Sequence, residues 1–309
     1  MPMRIAVPDL VTNSYFPALA AEELGFYKAE GIEAHVELRG PATTAIAALR
    51  DGAVDMVAGG AHTTLTAFPR WQGAKLVVAL AQGTPWLLVL RADLRAQRGD
   101  VRAVKGLRIG AAPGPDAALR RLLAEAGIDP QREGVEIGPV PGGGAPGVSF
   151  GVRAAEALEA RQLDGFWANA LGSATAVRRG VGTIIIDVRR GDGPPGAKQY
   201  TMAALIATEA LIVRDPEGVG AAVRAVVKVQ RELKGNPGRA TEVGRRRFPP
   251  DAAEIIASLV ERDLPFYDPV ISEEAVASMN RFAQAIGLLP QPVPYEQVVA
   301  VAFSELWRA

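Results

Sequence analysis

Residues 34–60 read AHVELRGPATTAIAALRDGAVDMVAGG. Ala34–Leu38 predicts a strand, Ala42–Arg50 a helix stopped by Asp51-Gly52, and Val54–Ala58 a second strand closed by Gly59-Gly60. Strand, helix and strand at this spacing form a parallel sheet with helices on its faces. Toward the amino end, Arg4–Val7 adds a strand and Pro17 to Tyr27 a helix ended at Gly25. Toward the carboxyl end follow a helix from Thr63 to Trp71 and a strand from Lys75 to Leu80. The first third of the chain is therefore an α/β lobe.

A polar stretch, Arg91 to Lys105, interrupts the alternation, which then restarts. Leu107–Gly110, Val135–Ile137, Gly165–Ala168 and Thr183–Ile186 read as strands. Leu119, Leu122, Leu123 and Ala126 make one helical stripe, and Ala154, Ala157 and Leu158 another. This restart marks a second α/β lobe. After the Gly/Pro-rich loop Gly191 to Gly196, Met202–Ala207 and Ala210–Val213 read as strand, and the remainder as helix. Asp215-Pro216-Glu217 has the cap, proline and acid of a helix start, with Val219, Val223, Val226 and Val227 as its buried stripe. Asp251 with Glu254 resembles a capping box. Ser272 caps a helix burying Ala275, Met279, Phe282 and Ala283.

The 309 residues are 49% hydrophobic, enough for two cores. Net charge is +0 and the pI about 6.8, so no field steers the chain to nucleic acid or anionic lipid. Arg245-Arg246-Arg247, the main basic cluster, reads as a solvated helix end. There is no cysteine, which excludes disulfides, thiolate metal sites and cysteine nucleophiles and fits an oxidising compartment. No apolar run approaches the ~18 residues of a membrane helix. Met1 leads directly into strand-like sequence without a visible signal peptide, which predicts either a cytoplasmic chain or a trimmed precursor.

Gly142 to Gly147 formally matches G-x-G-x-x-G, but Pro146 stands where the dinucleotide helix should run, and Asp164 precedes its strand instead of ending it. A flexible loop is the expectation. The two histidines lie apart without carboxylates at metal-ligand spacing. His35 is expected to be exposed on its strand. His62 follows a strand end, where parallel α/β sheets bind ligands, and is read either as a ligand contact or as a core or capping residue. No nucleophile elbow, phosphate loop or paired carboxylates are present.

Gly25-Phe26-Tyr27-Lys28-Ala29-Glu30-Gly31-Ile32 resembles the signature "G-F/Y-F-K-x-E-G-I/L" of solute-binding proteins in the nitrate, sulfonate, taurine and thiamine-precursor (NMT1/THI5-like) group. Three further segments agree in order. Ala47 to Asp55 resembles "A-x-L-x-x-G-x-V-D", Val104 to Gly110 "L-K-G-K-x-I-G", and Ala157 to Gly165 "A-L-x-x-G-x-I-D-A", with Arg161 where the group has glycine. The resemblance spans almost the whole chain. It implies an α/β fold of the two-lobed periplasmic-binding-protein type (type II), with two hinge crossovers and a C-terminal helical tail. Lobe one is then 1–89 with 202–309, and lobe two 90–201.

The resemblance further implies a monomeric periplasmic protein that closes on a small organic ligand and delivers it to the permease of an ABC transporter, without cofactor, metal, nucleic acid or catalysis. The alternatives are an enzyme on the same fold, either thiamine-pyrimidine-synthase-like or a small decarboxylase, and a cytoplasmic ligand sensor. His62 falls where the pyrimidine-forming relatives have their reacting histidine. The lysine expected just before it is replaced by Val57 to Ala61, and the cysteine-rich motif cannot exist here.

Ligand contacts are expected at strand carboxyl ends and helix starts: Asn13, Ser14, Tyr15, His62, Thr63, Thr84 and Trp86 in lobe one. Gly114, Asp116, Trp167 and Asn169 follow in lobe two, with Tyr200 near the hinge. This aromatic set with few neutral donors suits an aromatic, heterocyclic or anionic molecule. An anionic group is expected on free N–H groups at Gly114 or Thr63. Trp167 is expected to be a ligand platform, the competing account burying it under the following helix.

Overall fold

The computed structural model describes residues 2–9, 12–143 and 149–308. Residues 144–147 of the glycine-rich match lie outside the described residues. In chain order the first elements are β1 (Met3–Val7), α1 (Phe16–Glu23), α2 (Phe26–Ala29), β2 (Ala34–Leu38), α3 (Ala42–Arg50), β3 (Met56–Gly60) and β4 (Ala74–Ala81). Next come β5 (Leu87–Arg91), β6 (Arg108–Ala111), α4 (Pro115–Glu125), β7 (Glu136–Gly138), α5 (Phe150–Glu159), β8 (Gly165–Ala168), α6 (Ala170–Arg178) and β9 (Gly182–Asp187). The chain ends with β10 (Ala203–Thr208), α7 (Glu209–Arg214), α8 (Pro216–Gly235), α9 (Arg239–Arg247), α10 (Pro250–Asp263), α11 (Glu273–Ala285) and α12 (Tyr295–Val298).

Two compact units result, Met1–Gln82 with Thr201–Ala309, and Gly83–Tyr200. The division expected between Val89 and Leu90 falls inside β5, which belongs wholly to the second sheet. The first sheet has the order β2-β1-β3-β10-β4 and the second β7-β6-β8-β5-β9. In each, four strands point the same way and one, β10 or β5, lies antiparallel between two of them. In both units the antiparallel strand is the one on which the chain enters from the other. The shared architecture expected of the two lobes is thus a shared strand order.

An aspartate precedes the third parallel strand of each unit and brackets it to the first. Asp55 accepts from the Arg4 backbone N–H at 2.8 Å, and its own N–H donates to the Arg4 carbonyl at 2.9 Å. Asp164 repeats both bonds with Arg108, each at 2.9 Å. It also accepts from the Arg108 Nε at 3.0 Å and from the Arg91 Nη1 at 2.9 Å. The Arg108 side chain is the main reason that Asp164 stays ionised to a lower pH than an ordinary carboxylate.

The signature around Gly25 has a packing explanation. Gly25 (φ 77°) and Gly31 (φ 83°) supply left-handed turns on either side of α2. Tyr27 is buried, and Glu30 is tied to Arg224 and Lys228 of α8. The Val219–Val227 stripe of α8 is buried as expected, with Asp215 capping the Gly218 N–H at 2.9 Å. Ser272 caps α11 through the Ala275 N–H at 3.1 Å. In the second unit α5 and α6 meet through glycines: a Cβ on Gly172 would lie 2.5 Å from the Gly151 Cα. This approach sets the start of α6, and with it Asn169.

Four local expectations are corrected. Ala210–Val213 is helical, within α7, because Thr208 caps the Leu211 N–H at 3.1 Å and a four-residue apolar run cannot distinguish strand from helix. Thr63 to Trp71 forms two short 3-10 turns, Ala61–Thr66 and Pro69–Trp71. There Thr63 and Thr66 hydroxyls take the Gly60 and Thr63 carbonyls (2.6 and 2.7 Å), and Pro69 resists helix continuation. The helix near Asp251 already starts at Pro250 with Pro249 as its cap residue, so the box reading fails. Arg247 is not simply solvated; it pairs with Glu22 (3.2 Å) and Glu23 (2.9 Å) of α1 and donates to the Val36 carbonyl at 2.8 Å.

Replacing Asp164 by asparagine is expected to lower stability by about 2 kcal/mol at pH 7, the usual scale of charged hydrogen bonds. The native carboxyl titrates below its unfolded value, so its contribution is complete above about pH 4 and is lost as pH falls further. Urea denaturation of Asp164→Asn and the parent should therefore differ at pH 7 and converge toward pH 3. A constant difference across that range would contradict the ionic bracket.

Candidate functional site

At the carboxyl end of β1 the chain turns through Asn13, Ser14 and Tyr15 into α1, and at the end of β3 it turns through His62 and Thr63. All but Tyr15 are buried. His62 Nδ1 lies 3.0 Å from the Thr201 Oγ1, which also accepts from the His62 backbone N–H at 3.4 Å. The His62 ring stands edge-on to Phe282 of α11, centroids 5.5 Å apart. A Cβ built on Gly60 would lie 3.5 Å from the His62 ring and 3.8 Å from the Tyr15 hydroxyl. Tyr15, Gly60 and His62 thus share one small region. Thr63 spends its hydroxyl on the Gly60 carbonyl.

Asn13 is anchored by the C-terminal tail. Its Nδ2 donates to the carboxylate of Asp263, the last residue of α10, which is fully buried. Its carbonyl accepts from the hydroxyl of buried Tyr267 at 2.6 Å. Arg262 Nε donates to the other Asp263 oxygen at 3.1 Å.

In the second unit the corresponding edge carries Trp86 at the start of β5, Gly114 and Asp116 after β6, and Trp167 with Asn169 at the end of β8. The Trp86 and Trp167 rings lie 6.0 Å apart, tilted by 41°. Trp167 is fully buried, and its indole N–H donates to the Pro115 carbonyl at 3.0 Å. Asn169 caps α6 by accepting from the Gly172 N–H at 3.1 Å. The Gly114 N–H, expected to be open to an anion, instead donates to the Asp116 carboxylate at 3.0 Å. A negative charge already occupies that helix start. Thr63, the other expected anion position, lies in a single 3-10 turn without the dipole of a long helix.

Thr84 and Tyr200 spend their polar groups on protein partners. The Thr84 N–H and hydroxyl donate to the Lys198 and Ala197 carbonyls (2.9 and 2.7 Å). The Tyr200 hydroxyl donates to Glu125 at 2.7 Å, at the opposite end of α4 from Gly114. Burial and that carboxylate push the Tyr200 ionisation up. Sequence reading missed Thr201, just ahead of β10, and Asp263, Tyr267 and Phe282, which reach the first edge from the far end of the chain. It also missed Arg189, a buried arginine just after β9 that donates to the Gly83 carbonyl at 3.4 Å. His35 is exposed as expected, its Nδ1 2.9 Å from Glu22.

The family model described as NMT1/THI5 like matches residues 12–240. No curated protein matches the chain. Among solved structures, the alkanesulfonate-binding protein SsuA from Xanthomonas axonopodis pv. citri, bound to MOPS, is similar. It has 15% identity over 94% of this chain and 95% of that one, with a TM-score of 0.69. The periplasmic nitrate-binding protein NrtA from Synechocystis PCC 6803 has 14% identity over 99% and 87%, with a TM-score of 0.72. The desulfurization enzyme DszB, in complex with biphenyl-2-sulfinic acid, has 16% identity over 100% and 99%, with a TM-score of 0.68. At these identities the likeness is one of fold, that of periplasmic binding proteins and of at least one enzyme built on it.

Burial pushes the His62 imidazole pKa down to about 4. An unfolded histidine titrates near ~6.5, so the unfolded chain takes up this proton first and stability falls as pH drops from about 6.5 toward 4. NMR titration of the folded protein should leave the His62 ring neutral at pH 5. Protonation with a midpoint near 6.5 would contradict the burial account.

Proposed function

Because the chain belongs to the NMT1/THI5-like family, we propose that it is a solute-binding protein that captures a small aromatic or heterocyclic molecule and hands it to an ABC importer. The supporting observation is the company kept at the strand carboxyl ends of each unit. Ring surfaces stand beside neutral hydrogen-bonding groups: Tyr15 and His62 with Asn13 and Ser14 in one, Trp86 and Trp167 with Asn169 in the other. These residues are the proposed ligand contacts. Ionised side chains near them face other protein groups, Asp263 to Asn13 and Asp116 to Gly114. Such surroundings favour stacking and shape over charge.

NrtA is described as periplasmic, which supports work in the periplasm; a monomer acting beside the permease of an ABC transporter completes the reading. The likeness to DszB raises catalysis as a second reading. Against it, the chain has no cysteine to act as a thiolate, and Val57 to Ala61 holds no lysine for a Schiff base beside His62. Solute recovered unchanged by mass spectrometry after long incubation supports binding alone; a new product supports the enzyme.

A thermal-shift panel of aromatic sulfonates, aromatic carboxylates and aminopyrimidines tests the reading directly. A ligand at 100 times its Kd adds about 2.7 kcal/mol of stability, and silence from all three classes would refute the proposed ligand type. Gly60→Ala locates the site. Its Cβ would make ordinary contacts of 3.5–3.8 Å with His62 and Tyr15 at an unstrained φ of −68°. The variant is expected to melt normally but to bind the panel's hit about tenfold more weakly, because the methyl group fills space beside both rings. Unchanged affinity would place the solute elsewhere.

A further inference from the structure

Asn13 is 1% exposed, and its Oδ1 has no hydrogen-bond partner among the described residues. The amide cannot relieve this by turning over. Its Nδ2 faces Asp263, whose second oxygen accepts from the Arg262 Nε at 3.1 Å. A carboxylate in that pairing accepts hydrogen bonds and has none to donate. Turning the amide would set Oδ1 against a carboxylate oxygen, acceptor against acceptor. The main chain is held as well, since the Asn13 carbonyl receives the Tyr267 hydroxyl. Asp263 therefore fixes which end of the amide is left over, and what is left is a buried acceptor. Buried acceptors without a donor are costly, so the native protein is expected to meet this one with a donor when it works.

We propose that Asn13 Oδ1 receives an N–H of the bound solute, and that Asp263 is the positioning residue that imposes this choice. The ligand class narrows to aromatic or heterocyclic molecules carrying an amino group or ring N–H. This rests on the reading above that the segment after β1 borders the solute. Asp263 contributes at one remove: it touches Asn13, not the ligand, and sets the sense of the hydrogen bond. An ordered water is the competing donor, and the test must separate the two. A solute N–H makes affinity depend on the donor; a permanent water leaves donor and non-donor solutes equivalent.

The test uses matched probes from the same three classes: sulfanilate against benzenesulfonate, 4-aminobenzoate against benzoate, and 4-aminopyrimidine against pyrimidine, by calorimetry on the full chain. In the class that binds, the amino member is expected to bind about tenfold more tightly, the scale of one good hydrogen bond. Asn13→Leu should remove that preference, so that the two members of each pair then bind alike, whatever its effect on their common affinity. Asp263→Asn frees the amide to turn, and should erase or invert the preference. That inversion is a result that loss of packing alone would not produce. If Asn13→Leu does not fold, Asp263→Asn carries the test, since it keeps both side chains in place.

Equal binding of the paired probes, or a preference that survives both substitutions, overturns the inference while the solute-binding reading stands on Gly60→Ala. If no probe binds, or if a probe binds and Gly60→Ala leaves its affinity unchanged, the site reading itself is wrong and this inference falls with it.

Discussion

Each unit hangs on one carboxylate. Asp55 and Asp164 each stand one residue ahead of the third parallel strand and take the backbone N–H of the arginine in the first, while returning their own N–H to its carbonyl. At Asp55 the ionic part is worth little, because the Arg4 side chain is half exposed. The consequence lies in register. A slip of one residue would carry every side chain of a strand to the opposite face. With Ile5 opposite Met56 and Ile109 opposite Gly165, the strand lengths then dictate where the carboxyl ends emerge. The turns through Asn13 and Tyr15, through His62, through Gly114 and through Asn169 begin from those fixed points.

The bracket also explains why so much was legible in the sequence. The V-D of Ala47–Asp55 and the L-D of Ala157–Gly165 are the bracket residues, and Gly25, Tyr27, Glu30 and Gly31 hold α2 against α8. The recurring motifs mark scaffold positions with demanding geometry, so they reveal the fold and say little about the solute. Elements failed to be read where local sequence underdetermines them. β5 was missed because its pairing, Leu87 with Ala168 and with Asp187, joins residues far apart in the chain. The turn from Ala61 to Thr66 looked helical because its threonines have no sequence signal that separates hydroxyl capture of carbonyls from a helical turn.

The strand-end rule placed Asn13, Tyr15, His62, Trp86, Gly114, Trp167 and Asn169 at the predicted edges, since it follows from parallel-sheet geometry alone. It could not tell which of their polar atoms remain available. Thr63, Thr84 and Tyr200 were plausible donors by residue type, yet their hydroxyls are already bonded to protein groups. Nor could it supply Asp263, Tyr267 or Phe282, which lie some 200 residues or more from the segments they support. Nothing in spacing or composition connects Asn13 to Asp263 before the tail has folded back on the first sheet.

That tail changes what kind of specificity the edge can have. A loop held only by its own turn could offer a ligand either end of an asparagine amide, adjusting at small cost. Asn13 is held at Nδ2 and at its carbonyl by buried groups, and His62 is held against Phe282 and Thr201 in its neutral form. Rigid neutral groups discriminate through the penalty for leaving a buried partner unmet, which exceeds what a pocket gains from one added methylene. A charged contact would attract many anions over a longer range and separate them poorly. By drawing Asp263 and Asp116 onto protein partners, the fold keeps the edge chemistry directional, and the far end of the chain decides how its near end recognises a molecule.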